Sequence, residues 1–235
     1  MSENPLRELA KLGRDIRMIG QTRLPIHIER SCVIFCNTKA FHSAASLTSC
    51  IRMAKFAKWA NCEVFYLCDP SVTEFVDALM HFCTQVEKMS MVYIAGNKIS
   101  HESIDEKASF KASNGTIGPD LVYSQIENKN ETLRLVLLMD GINQPEGWDP
   151  VANDYEIPNL TIISPYPDPD QTHLQQLDLK NENIFLYSLW TFLKTKPRAS
   201  LQDILPNVSK EMVDFGQKVF ISCTPTANYK VPILL

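Results

Sequence analysis

Seven cysteines and five histidines offer this chain most of its reactive chemistry, and their spacing limits what that chemistry can be. Cys32, Cys36, Cys50, Cys62, Cys68, Cys83 and Cys223 form no C-x-x-C pair, and no two histidines stand at metal-ligand spacing. A structural zinc site is therefore not expected, and no cofactor is implied. An odd number of cysteines cannot pair completely within the chain. Most of them lie in apolar runs, where a thiol serves as a small buried hydrophobe. Cys36, Cys50, His42 and His101 lie near the ends of strand-like segments, but the sequence assembles no Cys/His or Ser/His/Asp constellation from them. His173 follows the proline-rich turn Pro165–Pro169 and reads as a surface residue.

Composition narrows the classes further. The 235 residues are 45% hydrophobic and 21% charged, with a net charge of −4, as in a folded soluble domain. The acidic balance and the lack of a dense Lys/Arg stripe argue against a nucleic-acid partner. The basic residues near the start (Arg7, Lys11, Arg14, Arg17, Arg23, Arg30) alternate with Glu3, Glu8, Asp15 and Glu29, the pattern of a solvated lead-in. No apolar run is long enough to span a bilayer, so no membrane association is expected. No secretory signal pattern opens the chain, and free thiols in a reducing, cytoplasmic setting are expected.

The elements that must position these residues alternate between strand and helix. Strands are predicted at Ser31–Cys36, Glu63–Leu67, Met91–Ala95, Leu133–Met139, Leu160–Ile163 and Val219–Ser222. Helices are predicted over Leu47–Ala60, capped by Ser46, over Ser71–Lys88 with a Ser71/Glu74 capping box, and over Pro119–Ile126 with proline in its first turn. Two more helices, Phe185–Leu193 and Ser200–Phe215, flank Lys196-Pro197. The polar stretch Gly96–Gly118 carries the turn signal Asn114-Gly115. Residues 1–30 form a lead-in with a helix at Pro5–Ile19, and residues 31–235 form the domain. The alternation predicts a single α/β domain with a mostly parallel, six-stranded central sheet and helices on both faces. Functional groups in such sheets gather beyond the carboxyl ends of the strands. No G-x-G-x-x-G or Walker A sequence is present, so the nucleotide-binding readings of this architecture lack their motifs.

At those strand ends the chain resembles the caspase-like cysteine peptidases, nearest to the metacaspase and paracaspase branch. Leu47-Thr48-Ser49-Cys50-Ile51-Arg52-Met53-Ala54 stands where metacaspases show L-x-G-C-x-N-D-A. Ile94-Ala95-Gly96-Asn97-Lys98 stands where they show Y-S-G-H-G, and Asp140-Gly141-Ile142-Asn143-Gln144-Pro145 where they show D-x-C-H-S-G. Ile163-Ser164 with Asp170-Gln171 resembles I-S-A…D-Q-x-A, and the helix from Phe185 and the strand before Cys223-Thr224-Pro225 fit in order. The resemblance runs from about Ser31 to the end and implies a caspase-like domain.

The departures from that pattern carry the functional expectation. By resemblance, Asn97 replaces the histidine general base and Ile142 the cysteine nucleophile. Asparagine takes up no proton near neutral pH, and a hydrocarbon attacks no carbonyl. In the basic-residue specificity pocket that the family implies, Asp140 keeps an acid while Met53 replaces another; Arg52 and Cys50 are its neighbours. Asp140 before Gly141 also suits a turn cap, and that reading is preferred. Asp120 and Asp149 fall where calcium-binding acids would lie, with Pro119 in place of a third. Two carboxylates are too few for a cation that takes about six to eight oxygens, and no metal is expected.

The expectation is a catalytically inactive caspase-like protein that acts by binding another protein, an active metacaspase or its substrates, with the last strand as a candidate dimerisation edge. Two alternatives stand beside it: a cysteine-type endopeptidase of altered mechanism, and an unrelated α/β ligand-binding module.

Overall fold

The computed structural model describes residues 4–20, 23–25, 27–38, 43–95, 98–99, 109–127, 129–140, 145–168, 184–225, 227, 230, 232 and 234. Its centre is a seven-stranded sheet built from β1 (Arg14–Asp15), β2 (Ile28–Cys36), β3 (Glu63–Cys68), β4 (Val86–Ala95), β8 (Arg134–Asp140), β9 (Leu160–Pro167) and β10 (Gln217–Cys223). Their order across the sheet is β1-β3-β2-β4-β8-β9-β10. All neighbours run parallel except β10, which is antiparallel to β9. The α/β class, the mostly parallel sheet and its six long strands are as the sequence predicts. The seventh, β1, is two residues long.

Both faces of the sheet are covered, which is why its strands read as nearly unbroken apolar runs. Because side chains alternate along a strand, Cys32, Ile34 and Cys36 enter one core layer while Val33 and Phe35 enter the other. The first layer is closed by α1 (Pro5–Leu12), α3 (Ser43–Trp59), α6 (Ile184–Thr195) and α7 (Leu201–Val213). The second is closed by α2 (Ile16–Ile19), α4 (Val72–Gln85) and α5 (Pro119–Ile126). Six of the seven cysteines belong to the first layer, and all seven are free thiols.

The lead-in departs from its predicted single helix. The chain breaks at Gly13, whose added Cβ would stand 2.7 Å from Val64 Cγ1 and 3.0 Å from the Val64 carbonyl oxygen. Only glycine passes that close, and this lets Arg14 and Asp15 pair with Phe65 and Tyr66 at the sheet edge. The lead-in thus wraps the edge, with Leu9 buried in the first layer and Ile16 in the second. The predicted division at residue 30 falls inside β2.

Two helix boundaries move, and a small sheet forms where a polar stretch is expected. The α3 helix begins at Ser43, so Ser46 lies inside it; the run Ser43-Ala44-Ala45 already favours helix. The α4 helix stops at Gln85 rather than Lys88, because Val86 turns extended and pairs with Ile28 on β2. Tertiary pairing here overrides a continuing helical pattern. The polar stretch after β4 carries a small antiparallel sheet, β5 (Lys98–Ile99), β6 (Ser109–Lys111) and β7 (Thr116–Ile117), with the Asn114-Gly115 turn between its last two strands. The Asn114 side chain accepts the Val72 amide at 2.8 Å, tying this sheet to the start of α4.

The apolar carboxyl terminus has a defined place. Leu234 is buried in the first layer, and Pro232 forms a bridge with Ser200. Arg134 Nη2 donates to the Pro232 carbonyl at 2.8 Å, and Arg30 donates to that of Leu234.

Candidate functional site

The carboxyl ends of β2, β3, β4 and β8 lie side by side, and each contributes a polar or thiol group. Cys36 and Cys68 are register partners, with sulfurs 2.9 Å apart. Beyond them Asp69 has a φ of 48°, in the left-handed region that aspartate tolerates better than most residues. This turn brings its carboxylate to the Thr38 amide at 2.6 Å, and the Thr38 hydroxyl donates to the same group. The Asp69 amide donates to the Cys36 carbonyl at 2.7 Å and the Asn37 amide to that of Ala95 at 3.2 Å. The start of the loop after β2 is thereby pinned to the ends of both neighbouring strands.

Arg17, from α2, braces the same corner. Its guanidinium donates to the Cys68 carbonyl at 2.6 Å, to the Asp69 carbonyl at 3.1 Å and to the Glu74 carboxylate at 2.7 Å. The bond from Arg17 first, and then the Ser71 amide, hold the Glu74 carboxyl down at about 2. Glu74 in turn completes the predicted capping box with Ser71.

Asp140 is the group at this edge with a wholly buried partner. The Tyr93 phenol donates to Asp140 Oδ2 at 2.7 Å. Burial first, and then the Asp140 charge, hold the Tyr93 pKa well above its ordinary value, so the phenol keeps the proton it donates. Ser49 and Cys50 of α3 adjoin the same phenol. Cys50 and Met53 are fully buried in the first layer, while Arg52 and Asp140 are partly exposed. Of the four residues that the resemblance places in a specificity pocket, two therefore point into the core.

Asp120 and Asp149 come together around Tyr123, whose pKa is raised by burial and then by the Asp149 and Asp120 charges among others. Asp149 Oδ1 accepts from the Ser222 hydroxyl at 2.8 Å and from the Val151 amide at 3.0 Å. Asp120 Oδ1 accepts the Tyr155 hydroxyl at 3.2 Å. Trp148, completely buried, packs edge-on against Phe110 and Tyr123 and anchors the chain beyond β8. Among the described residues, no three His, Cys, Asp or Glu side chains are arranged to hold a metal.

Asn97, Ile142, His42, His101, His173, Asp170 and Gln171 lie outside the described residues. Ala95 and Asp140 are register partners on adjacent strands, and Asn97 and Ile142 each follow two residues later.

Sequence reasoning missed Tyr93, Thr38 and the Cys36–Cys68 contact. Tyr93 had a signal: it brings one hydroxyl to the otherwise aliphatic run Met91–Ala95, and a buried tyrosine hydroxyl needs an acceptor. A groove of about 540 Å³ between α2 and α4 is lined by Ile16, Leu24, Met80 and His81, with Arg17 and Glu74 of the corner brace also in its wall. No helix among the described residues is long and apolar enough to cross a membrane.

No protein-family profile and no curated protein matches the chain. Among solved structures it is similar to protein GSU0716 from Geobacter sulfurreducens, with a TM-score of 0.60 and 12% identity, over 88% of this chain and 98% of that one. Similarity at that identity speaks to the fold alone.

Proposed function

We propose that this protein is a catalytically inactive relative of the caspase-like peptidases, nearest the metacaspase branch, that works by binding another protein. The observation that carries the reading is the pair Asn97 and Ile142, each two residues beyond aligned neighbours on β4 and β8. A family member would keep its base and nucleophile there. Neither residue here can shuttle a proton or attack a carbonyl.

The sheet supports the caspase-like reading over a flavodoxin-like one. Counted in chain order, its six long strands run 2-1-3-4-5-6, and the sixth is antiparallel. A flavodoxin-like sheet has the order 2-1-3-4-5. The antiparallel last strand is the feature that caspases add. A sheet covered on both faces is a rigid platform, and its strand-end crevice can hold a peptide that it does not cut. The outer edge of β10 is the surface for pairing with an active relative or a second copy, since an edge strand presents unpaired amides and carbonyls. The free thiols fit a cytoplasmic setting.

The test is turnover. Purified protein is expected to leave Arg- and Lys-containing fluorogenic peptides uncut, with or without calcium. Cleavage that a cysteine or serine trap abolishes would overturn the proposal in favour of an endopeptidase of altered mechanism. Trace cleavage gained by the double variant Asn97→His, Ile142→Cys would support the placement of the lost dyad.

A further inference from the structure

Two thiols at the carboxyl ends of β2 and β3 are placed for covalent joining. Cys36 and Cys68 are aligned on adjacent parallel strands, so both side chains leave the sheet on the same face. Neighbouring strands lie about 4.8 Å apart. That falls within the Cα separation of about 4.4–6.8 Å that a disulfide spans. The sulfurs already stand 2.9 Å apart, closer than unbonded sulfurs ordinarily rest. Cys68 is partly exposed and Cys36 is buried behind it. Cys50 reaches Cys36 from α3 but is wholly buried and belongs to no strand pair.

We infer that Cys36 and Cys68 form a reversible disulfide when the protein meets a peroxide. The Cys68 thiolate attacks one oxygen of hydrogen peroxide, and the O–O bond breaks. Cys68 becomes a sulfenic acid, and the departing hydroxide takes up a proton to leave as water. The Cys36 sulfur then attacks the Cys68 sulfur and the S–O bond breaks. The second hydroxide leaves as water with the proton from Cys36. Two thiols are oxidised to one disulfide, and one peroxide is reduced to two waters. A low-molecular-weight thiol reverses the change by exchange.

The consequence falls on the ends of β2 and β3. Thr38 lies two residues past Cys36 and Asp69 one past Cys68, and they are already hydrogen-bonded to each other. A covalent link between the neighbouring strands fixes Thr38, at the start of the loop after β2, to the end of β3. Both thiols sit above their ordinary pKa, Cys36 through its contact with Cys50 and through burial, Cys68 through its contact with Cys36 and through burial. Since the thiolate is the nucleophile, the reaction is slow at neutral pH and quickens as pH rises. High-pKa thiols are also poor leaving groups, so the bond, once formed, is reduced slowly.

The experiment treats the full chain with hydrogen peroxide, blocks the remaining thiols by alkylation, and maps linkages by fragmenting non-reduced peptides. Expected are the loss of two hydrogens from the intact mass, a Cys36–Cys68 link, its reversal by dithiothreitol, and faster formation in mildly alkaline than in neutral buffer. The Cys68→Ser variant should lose the link. A link from Cys36 to Cys50, sulfinic acid on Cys68 without a link, or no loss of thiols in the folded protein would each overturn the inference. The wild-type map decides it even if the variant does not fold. This chemistry does not depend on the protein-binding role, which the turnover assay tests separately.

Discussion

The two ends of the sheet use polar groups to hold different parts of the chain. At the amino-terminal ends of the strands, cations meet main-chain carbonyls: Arg30 and Arg134 hold the tail at Leu234 and Pro232. Lys129, nearly fully buried, donates to the carbonyls of Leu133 and Asn130. At the carboxyl ends, Asp69 accepts from Thr38 and Asp140 from Tyr93, both neutral donors, while Arg17 braces the carbonyls of Cys68 and Asp69. Arg30, Met89 and Arg134 are aligned on three adjacent strands, and burial followed by Arg30 lowers the Arg134 pKa. Two like charges so close need the tail's acceptors. The lower end therefore secures a chain terminus and so contributes stability. The upper, carboxyl end holds individual strand ends and the start of the loop after β2 in place.

Removing the tail should separate the two ends most sharply. Deleting residues 231–235 takes acceptors from two guanidiniums and uncovers the pocket that Leu234 fills. Charge-assisted hydrogen bonds and a buried leucine together set the expected loss on the order of 3–5 kcal/mol, read by urea unfolding. A loss no larger than that of an upper-end variant would break the contrast.

Tyr93→Phe is the upper-end counterpart. It strips Asp140 of a fully buried donor, and a loss of about 1–2 kcal/mol is expected. Asp140→Asn, which keeps an acceptor, should cost less in the same melt. Equal losses would mean that the charge itself matters to the fold.

Ser71→Ala removes one half of the α4 capping box and should cost about 1 kcal/mol. The smallest effect is the pH dependence of the Arg17–Glu74 brace. The Glu74 carboxyl is at about 2 in the folded protein against an ordinary 4.5. The unfolded chain therefore binds that proton first, and the stabilisation present above 4.5 is lost as pH falls toward 2. Both side chains are about 40% exposed, so solvent screens the pair and the effect is small. Glu74→Gln should remove this part of the acid dependence. An unchanged acid-unfolding curve would show that the brace is mechanical only.

Much of this was legible in residue order. The alternation of apolar runs and amphipathic stretches located all six long strands, and Ser71/Glu74 and Pro119 marked helix starts that the structure keeps. The site was less legible. Cys50 and Met53 were read beside a pocket, but a helix pattern does not say which flank faces the sheet, and both turn into the core. Cys36 and Cys68 are 32 residues apart, and only the register of β2 on β3 makes them neighbours.

The sequence alone determined the α/β class, the two-sided burial of the strands and the identity of Asn97 and Ile142, because these depend on local pattern and residue type. The tertiary structure decided the edge strand at Arg14–Asp15, the seat of the tail and the partners of Asp140 and Cys36. Each of those requires knowing which distant backbone comes within hydrogen-bonding distance, and a pattern along one chain carries no such distances.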